Sequence, residues 1–170
     1  NMNYDGDGLL IDEVLEKGPF DKNHSKVEAG NIIEKIDGIE ITKDMDYYPL
    51  LNKKVGKQVL VSIYNPDTKK RWEEIVKPIS KGTQNELLYQ RWIKHNEEVV
   101  DSLSNGRLGY VHIRSMGDAS YRDVYADILG KYNRRKGIVI DTRFNGGGRL
   151  HEDIEILFSG EKYLEQVIRD

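Results

Sequence analysis

The 170 residues carry 26 lysines and arginines against 29 aspartates and glutamates, which gives a formal net charge of −3. Hydrophobic residues make up 38% and charged residues 32%, an ordinary globular balance that predicts one medium or two small domains. The basic clusters Lys69-Lys70-Arg71 and Arg134-Arg135-Lys136 fall at predicted connections, and no basic face continues either of them. These features exclude a nucleic-acid-binding role.

The absence of cysteine from the sequence excludes disulfides and thiolate metal sites. No apolar run approaches the roughly 20 residues that a membrane-spanning helix needs, so no membrane insertion is expected. No secretory pattern opens the chain, but Asn1 ahead of Met2 leaves a removed signal open. The compartment is therefore not determined by these features.

The first half of the chain predicts short strands separated by turns. A strand is predicted over residues 9–15, and a second begins after Gly30 and ends at an Asp37-Gly38 turn that leads into Ile39–Ile41. A short helix is predicted over residues 46–53, where Pro49 is tolerated only in the first turn.

A hairpin closes this half. Val59, Val61 and Ile63 alternate with more exposed neighbours, as in a half-buried strand. The turn at residues 65–68 connects it to a second strand over residues 71–79. Strands, one short helix and a closing hairpin predict a small, partly open β-barrel.

Near residue 82 the pattern changes to alternating helices and strands. One helix is predicted over residues 86–103, with Asn105-Gly106 as its stop. Leu108–Ile113 is a predicted strand, and the apolar run Ile138-Val139-Ile140 is typical of a strand buried on both faces. Strand, helix and strand in this order predict a right-handed crossover with parallel strands. The boundary is therefore placed between two domains, residues 1–81 and 82–170.

The helix between these two strands has two candidate caps and one apolar stripe. Asp118 or Ser120 could cap its N-terminus. Six residues fall on the stripe, which predicts core packing rather than a binding platform: Tyr121, Val124, Tyr125, Ile128, Leu129 and Tyr132.

The strongest local signal is the segment Asp141-Thr142-Arg143-Phe144-Asn145-Gly146-Gly147-Gly148, directly after the second strand. Three consecutive glycines cost chain entropy and are expected where the backbone approaches a ligand closely or presents bare N–H groups. A helix is predicted to start at residues 149–151. An amide-rich loop before a helix, at the carboxyl end of a parallel strand, suits a negative charge.

Three interpretations of this loop are weighed from the residues alone, and one of them fails. A nucleotide phosphate loop lacks its Lys-Ser/Thr ending here, so that version fails. An oxyanion hole uses the same bare amides on a carbonyl oxygen that gains charge. The third interpretation is a flexible turn, in which the glycines only separate two secondary-structure elements.

Several segments resemble the peptidase core of tricorn-like proteases, in the same serine peptidase family as the C-terminal-processing (tail-specific) proteases. They are Arg107–Ile113, Met116-Gly117 and residues 137–148, preceded by a similar helix around Tyr89–Trp92. Upstream, Gly30-Asn31-Ile32-Ile33 with Ile36-Asp37-Gly38 is similar to the Gly-Asp-x-Ile…Ile-Asp-Gly signature of bacterial PDZ modules, with Asn31 replacing the usual aspartate. The resemblance covers nearly the whole chain.

This resemblance implies an α+β fold: a PDZ-like small β-barrel over residues 1–81, then part of an α/β peptidase core with parallel strands over residues 82–170. In the family a serine attacks the scissile carbonyl, a base takes its proton and backbone amides hold the oxyanion. Gly147 or Gly148 is the implied donor, with Asn145 and Gly146 shaping the turn. The substrate is expected to be a peptide or an unfolded protein, with no cofactor, and its binding residues are unassigned.

The resemblance also implies that essential groups are missing. The family's nucleophile lies on a later strand-to-helix turn, and its catalytic histidine comes before the PDZ module. We expect the 170 residues to be catalytically inert by themselves. A local triad of His112, Ser115 and Asp141 is rejected in favour of a strand histidine and a loop serine, and Asp141 with Arg143 is interpreted as an internal pair.

The remaining histidines offer no metal site. His24 and His95 have no ligand-spaced partner, and His151 with Glu152 shows no metal motif.

Two other functions are weighed against an incomplete peptidase: a non-catalytic PDZ peptide-binding or adaptor module, and, more distantly, a nucleotide binder. The strand and carboxylate loop before Leu9 look short, so weak or no binding of C-terminal peptides is expected. An uncovered parallel strand predicts self-association through the second domain. Family resemblance alone favours the cell envelope over the cytoplasm.

Overall fold

The computed structural model describes residues 5–160, and the predictions that touch residues 1–4 and 161–170 lie outside the described residues. The chain divides into two compact units between Arg91 and Trp92. Helix α2, Lys81–Leu103, runs through this division. The sequence placed the boundary where that helix begins, and the assignment of residues 1–81 and 82–170 as domains stays a prediction.

The first unit is built on an antiparallel sheet in the order β1-β2-β4-β5, with β3 also pairing with β2. One short helix, α1 at Tyr48–Leu51, has its proline in the first turn, as expected. The five strands are β1 Leu9–Leu10, β2 Ile32–Ile36, β3 Ile39–Glu40, β4 Val59–Asn65 and β5 Lys70–Val76. Strand β1 is shorter than the predicted 9–15, because the chain leaves the sheet after Ile11 bonds to Asn31.

Side-chain alternation on β4 places the core of this unit. Val59, Val61 and Ile63 are at most 3% exposed, which confirms the predicted half-buried strand. Asp37 and Gly38 both have positive φ, 49° and 80°, as a tight β2–β3 turn requires. The Asp37 carboxylate accepts the Leu60 N–H at 2.9 Å and so ties the turn to β4.

The second unit contains one strand–helix–strand crossover. Strand β6, Leu108–His112, pairs in parallel with β7, Gly137–Asp141, as predicted. Between them lie α3, Asp118–Ala126, and a π-helical turn over Asp127–Lys131. The glycine loop, residues 142–148, follows β7, and helix α4, His151–Ser159, comes after it.

Strand β7 does not have the burial that its apolar run predicts. Val139 is 36% exposed and Ile140 is 40% exposed, so the expectation of a strand buried on both faces is wrong. Among the described residues β7 pairs with β6 alone, and a two-stranded sheet provides few neighbours to cover it.

Helix α3 also departs from its predicted pattern. Its N-cap residue is Gly117, with no side-chain cap bond, and the Ser120 hydroxyl contacts the Ser115 hydroxyl at 3.1 Å instead. Val124 and Tyr132 of the predicted stripe are buried, but Tyr125 and Leu129 are 47% and 50% exposed. The π-helical turn breaks the 3.6-residue spacing after Ala126. This break accounts for the exposure of Leu129, which the regular helical spacing placed on the buried stripe.

Within residues 5–160, no helix combines the length and the apolar character that crossing a bilayer would require.

Candidate active site

The glycine loop is held against the segment that continues β6. Five main-chain hydrogen bonds join them: Ile113 N to Asp141 O at 2.8 Å, Gly146 N to Arg114 O at 3.0 Å, Met116 N to Gly147 O at 2.8 Å, and Arg149 N and Leu150 N to Met116 O at 3.0 and 3.3 Å. The bonds alternate between the two segments, so the loop extends the parallel β6–β7 pairing as far as a bridge between Met116 and Gly148. The loop is a fixed backbone path rather than a free turn.

The Asn145 side chain fixes the curvature of this loop. Its Nδ2 donates to the Ile113 carbonyl at 2.7 Å, and its Oδ1 accepts the Gly147 N–H at 2.6 Å. The second contact is an Asx-type turn, in which a side chain replaces a backbone acceptor. The Gly147 amide is therefore already engaged.

The Gly148 amide is different. The N–H groups of Asn145, Gly146 and Gly147 donate to Thr142 O, Arg114 O and Asn145 Oδ1 respectively. Gly148 is exposed, and its N–H has no acceptor among residues 5–160. The residues before and after it are both bonded to Met116: the Gly147 carbonyl accepts the Met116 N–H, and the Arg149 N–H donates to the Met116 carbonyl. The free Gly148 N–H therefore has a fixed position.

The three glycines meet different steric demands. A Cβ on Gly148 would lie 2.1 Å from the Met116 carbonyl oxygen, and its φ of 142° disfavours any other residue. Gly147 has open space around a Cβ but a φ of 81°. Gly146 has neither a positive φ nor an atom within 4 Å of a Cβ, so no steric constraint requires glycine there.

A buried carboxylate lies where the loop begins. Asp141, the last residue of β7, is 8% exposed and accepts the Tyr110 hydroxyl at 2.7 Å. The Arg143 backbone N–H donates to Asp141 Oδ1 at 2.9 Å, and the Arg143 guanidinium binds both carboxylate oxygens. This confirms the predicted internal Asp141–Arg143 pair and anchors the first turn of the loop.

These contacts shift the ionisation of all three groups. Hydrogen bonding to Arg143, helped by Tyr110, holds the pKa of Asp141 well below its usual range despite burial. Burial, and then the bond to Asp141, raises the pKa of Tyr110. The same carboxylate raises the pKa of Arg143. The network is a stable ion pair with a neutral phenol, which suits positioning rather than proton transfer.

No Ser-His-Asp triad is assembled from the local candidates. The His112 Nε2 contacts the Arg143 carbonyl oxygen at 2.7 Å, the Ser115 hydroxyl contacts Ser120, and Asp141 is engaged by Tyr110 and Arg143. Residues 5–160 likewise hold no cluster of three or more histidine, aspartate or glutamate side chains suited to a metal ion.

An apolar cavity of about 540 Å³ lies elsewhere in the same unit. Leu103, Leu108 and Val139 are among the residues that line it, and no residue of the glycine loop does. Leu108 is the first residue of β6, whereas the loop follows the last residue of β7. The cavity is therefore separate from the candidate site.

Tyr110 is the site residue that was not singled out from the sequence. The register pairs Tyr110 with Val139 and His112 with Asp141. Asp141 is two residues beyond Val139 on β7, so its side chain lies on the same face as that of Tyr110 and within reach of it. The contact could therefore have been predicted once β6 and β7 were aligned in this register.

Comparison with known proteins relates the chain to peptidases. Residues 107–169 match the family model of Peptidase family S41. The tricorn protease of Thermoplasma volcanium is 32% identical over 158 residues, which is 87% of this chain and 15% of that protein. The tricorn protease homolog of Saccharolobus solfataricus is 31% identical over 133 residues, 78% of this chain and 12% of that protein.

A solved structure shows the same fold. The crystal structure of the tricorn protease superposes with a TM-score of 0.70 and 23% identity, covering 90% of this chain and 15% of that one. This chain therefore spans about 15% of the length of relatives that it matches over most of its own residues.

Acid should weaken the second unit through Asp141. A carboxyl with a depressed pKa in the folded state stabilises the fold above its unfolded pKa of about 3.9, and this contribution is lost as the pH falls through the folded pKa. We expect the urea midpoint of unfolding in the native sequence to drop progressively as the pH falls below about 5, and to go on dropping below the unfolded pKa of about 3.9. The Asp141→Asn variant should have a lower urea midpoint at pH 7, and its midpoint should fall less on acidification than that of the native sequence.

The exposed Asp123→Asn is the matched control, and it should keep the native acid dependence. An Asp141→Asn variant that retains the full acid-induced loss would contradict the assignment.

Proposed function

This chain belongs to the tricorn-type serine peptidase family, and we propose that it supplies an oxyanion-binding loop to a peptide-bond hydrolase. The Gly148 N–H is the proposed donor to the carbonyl oxygen of the cleaved bond. The observation that carries the proposal is the main-chain N–H of an exposed residue, Gly148, which has no acceptor in residues 5–160 and whose two neighbours are held by hydrogen bonds.

Rigidity is what makes such a donor useful. When a nucleophile adds to the carbonyl carbon, charge develops on the oxygen, and a donor already in place stabilises that charge without reorganising. Gly148 is fixed by the bonds of its neighbours Gly147 and Arg149 to Met116. Asn145 engages the Gly147 amide, so the proposal assigns donation to Gly148 rather than Gly147.

We further propose that the nucleophilic serine and its base lie outside these 170 residues. The local candidates His112, Ser115 and Asp141 are each occupied by other partners, which supports this division. The 170-residue chain should then cleave no peptide by itself, while the full-length protein that contains it hydrolyses peptides or unfolded proteins.

The first unit is proposed to be a PDZ-like module that aligns substrate or assists assembly. Its Gly30–Gly38 segment carries the resemblance, and the Asn31 Oδ1 accepts the Glu28 N–H at 3.0 Å, so the amide serves as the acceptor in place of the usual carboxylate. The Gly8 N–H, just before β1, already donates to the Ile41 carbonyl at 2.9 Å. An amide engaged in this way is not free to hold a peptide carboxylate.

The exposed apolar side chains of the second unit support self-association as a further part of the proposal. Leu103 is 81% exposed, and Leu108, Val139 and Ile140 are each 36% to 40% exposed. Apolar surface of this kind favours burial against another surface.

Loss of the Gly148 donor should lower turnover in the full-length protein. Gly148→Ala places a methyl group against the Met116 carbonyl and displaces the amide, so we expect kcat to fall about 100-fold or more with a smaller change in KM. Gly146→Ala is the matched control, because its Cβ meets open space.

Steady-state kinetics on a quenched fluorescent peptide, with thermal unfolding of each variant, checks this. Equal kcat in the two folded variants would remove the oxyanion assignment. A full-length protein that cleaves no peptide at all would favour the non-catalytic adaptor.

Binding of C-terminal peptides to the 170-residue chain should be weak or absent, because the Gly8 amide is already used. Isothermal titration calorimetry with a panel of free-carboxylate peptides, each paired with its C-terminally amidated form, measures this. Micromolar affinity that depends on the free carboxylate would contradict it.

Self-association of the 170-residue chain should be visible by light scattering as a mass that rises with concentration. Leu103→Asn should reduce it, because this variant removes the most exposed of the four apolar side chains. Tyr48→Asn, at a similarly exposed position in the first unit, is the control. A monomer at high concentration would rule the interaction out.

A further inference from the structure

Phe144 combines two unfavourable features that packing within its own unit does not offset. Its side chain is 86% exposed, and its backbone has a φ of 61°. The left-handed region is unfavourable for a non-glycine residue, and large aromatic residues adopt it rarely. A solvent-exposed phenylalanine also lacks the stabilisation that burial of its side chain would contribute.

The backbone on both sides of Phe144 holds it in this position. The Arg143 N–H donates to the buried Asp141 carboxylate at 2.9 Å. The Asn145 N–H donates to the Thr142 carbonyl at 3.1 Å, and the Asn145 side chain is bonded to Ile113. With both neighbours fixed, the phenyl ring is presented at the surface by the same anchors that shape the glycine loop.

Trp92 provides an aromatic wall beside this ring. The two ring centroids are 5.9 Å apart with an interplanar angle of 65°. Trp92 also contacts His112, edge-on at 5.0 Å, and the Arg143 guanidinium, which lies 5.0 Å from the ring centroid. Because the Arg143 charge is paired with Asp141, the Phe144–Trp92 surface is apolar next to a neutralised cation.

The length of chain between Phe144 and Gly148 limits how far the phenyl ring can lie from the free donor. Phe144 and Gly148 are four residues apart, a span of at most about 14 Å. Residues of an extended peptide repeat every 3.3 Å or so, with alternate side chains on one side. Consider a bound peptide whose carbonyl oxygen accepts the Gly148 N–H. The side chains of this peptide that can contact Phe144 then belong to residues no more than about four positions from the cleaved bond.

We propose that Phe144, backed by Trp92, is a specificity-determining residue that selects substrates with a bulky apolar side chain near the cleaved bond. The inference rests on the proposed peptidase function. An aliphatic or aromatic substrate side chain would cover the phenyl ring and bury apolar area on both partners. That contact gives the exposure and the strained backbone of Phe144 a function.

The test uses the full-length protein and a series of quenched peptides of one sequence, in which each position near the cleaved bond is in turn phenylalanine or serine. The measured quantity is the ratio of kcat/KM for the phenylalanine and serine peptides at each position. Phe144→Asn removes the ring while asparagine keeps the left-handed backbone. We expect it to lower this ratio about tenfold at one position, the scale of a lost apolar contact.

Two further variants separate specificity from structure. Phe144→Leu retains apolar bulk and should restore most of the ratio. Tyr125→Asn removes an aromatic residue that is 47% exposed on α3 and pairs with Tyr121 at 6.2 Å, so the ratio should stay at the native value.

The outcomes distinguish this inference from the function on which it rests. If the native protein cleaves none of the peptides, the proposed peptidase function fails. If it cleaves them and Phe144→Asn leaves every ratio unchanged, the selectivity role of Phe144 is overturned while the oxyanion assignment stands. A lower thermal unfolding midpoint with unchanged ratios would identify Phe144 as a packing residue and equally overturn the inference.

Discussion

The paired contacts of the Asn145 side chain are the interaction on which the candidate site depends. One amide group donates to the Ile113 carbonyl at 2.7 Å and accepts the Gly147 N–H at 2.6 Å, so it joins the end of the β6 segment to the interior of the loop. Without it, the interior of the loop at Asn145–Gly148 would be joined to the β6 segment by main-chain bonds alone. The Asn145 contacts act together with the bonds of Gly147 and Arg149 to Met116 in fixing the free Gly148 amide, and together with the Arg143–Asp141 contact in fixing Phe144.

Much of the fold was accessible from the sequence because its signals are local. The alternation of Val59, Val61 and Ile63 identifies a strand with one buried face, and Asp37-Gly38 encodes a tight turn through two residues that tolerate positive φ. The burial of a whole strand cannot be predicted from such local signals. The run Ile138–Ile140 specifies a strand, but its cover depends on which elements pack against it, and Val139 and Ile140 are exposed here.

The candidate site was predictable to the level of the segment and no further. Consecutive glycines directly after a strand indicate a loop with a special backbone. Which amide stays free depends in part on residues far away in the sequence. Arg114 accepts the Gly146 N–H, and Met116 bonds to Gly147 and Arg149, in each case across about 30 residues of chain. The role of Tyr110 is equally non-local, because its contact with Asp141 requires the strand register.

The three glycines are therefore three separate constraints rather than one signal for flexibility. Gly148 is required by the closeness of the Met116 carbonyl, Gly147 by its left-handed backbone, and Gly146 by neither. A flexible turn would not need the close approach at Gly148, nor the Asn145 clamp, nor a strained phenylalanine beside it. Free energy spent on a fixed path with one unsatisfied amide is consistent with a loop that binds an oxygen atom at that amide.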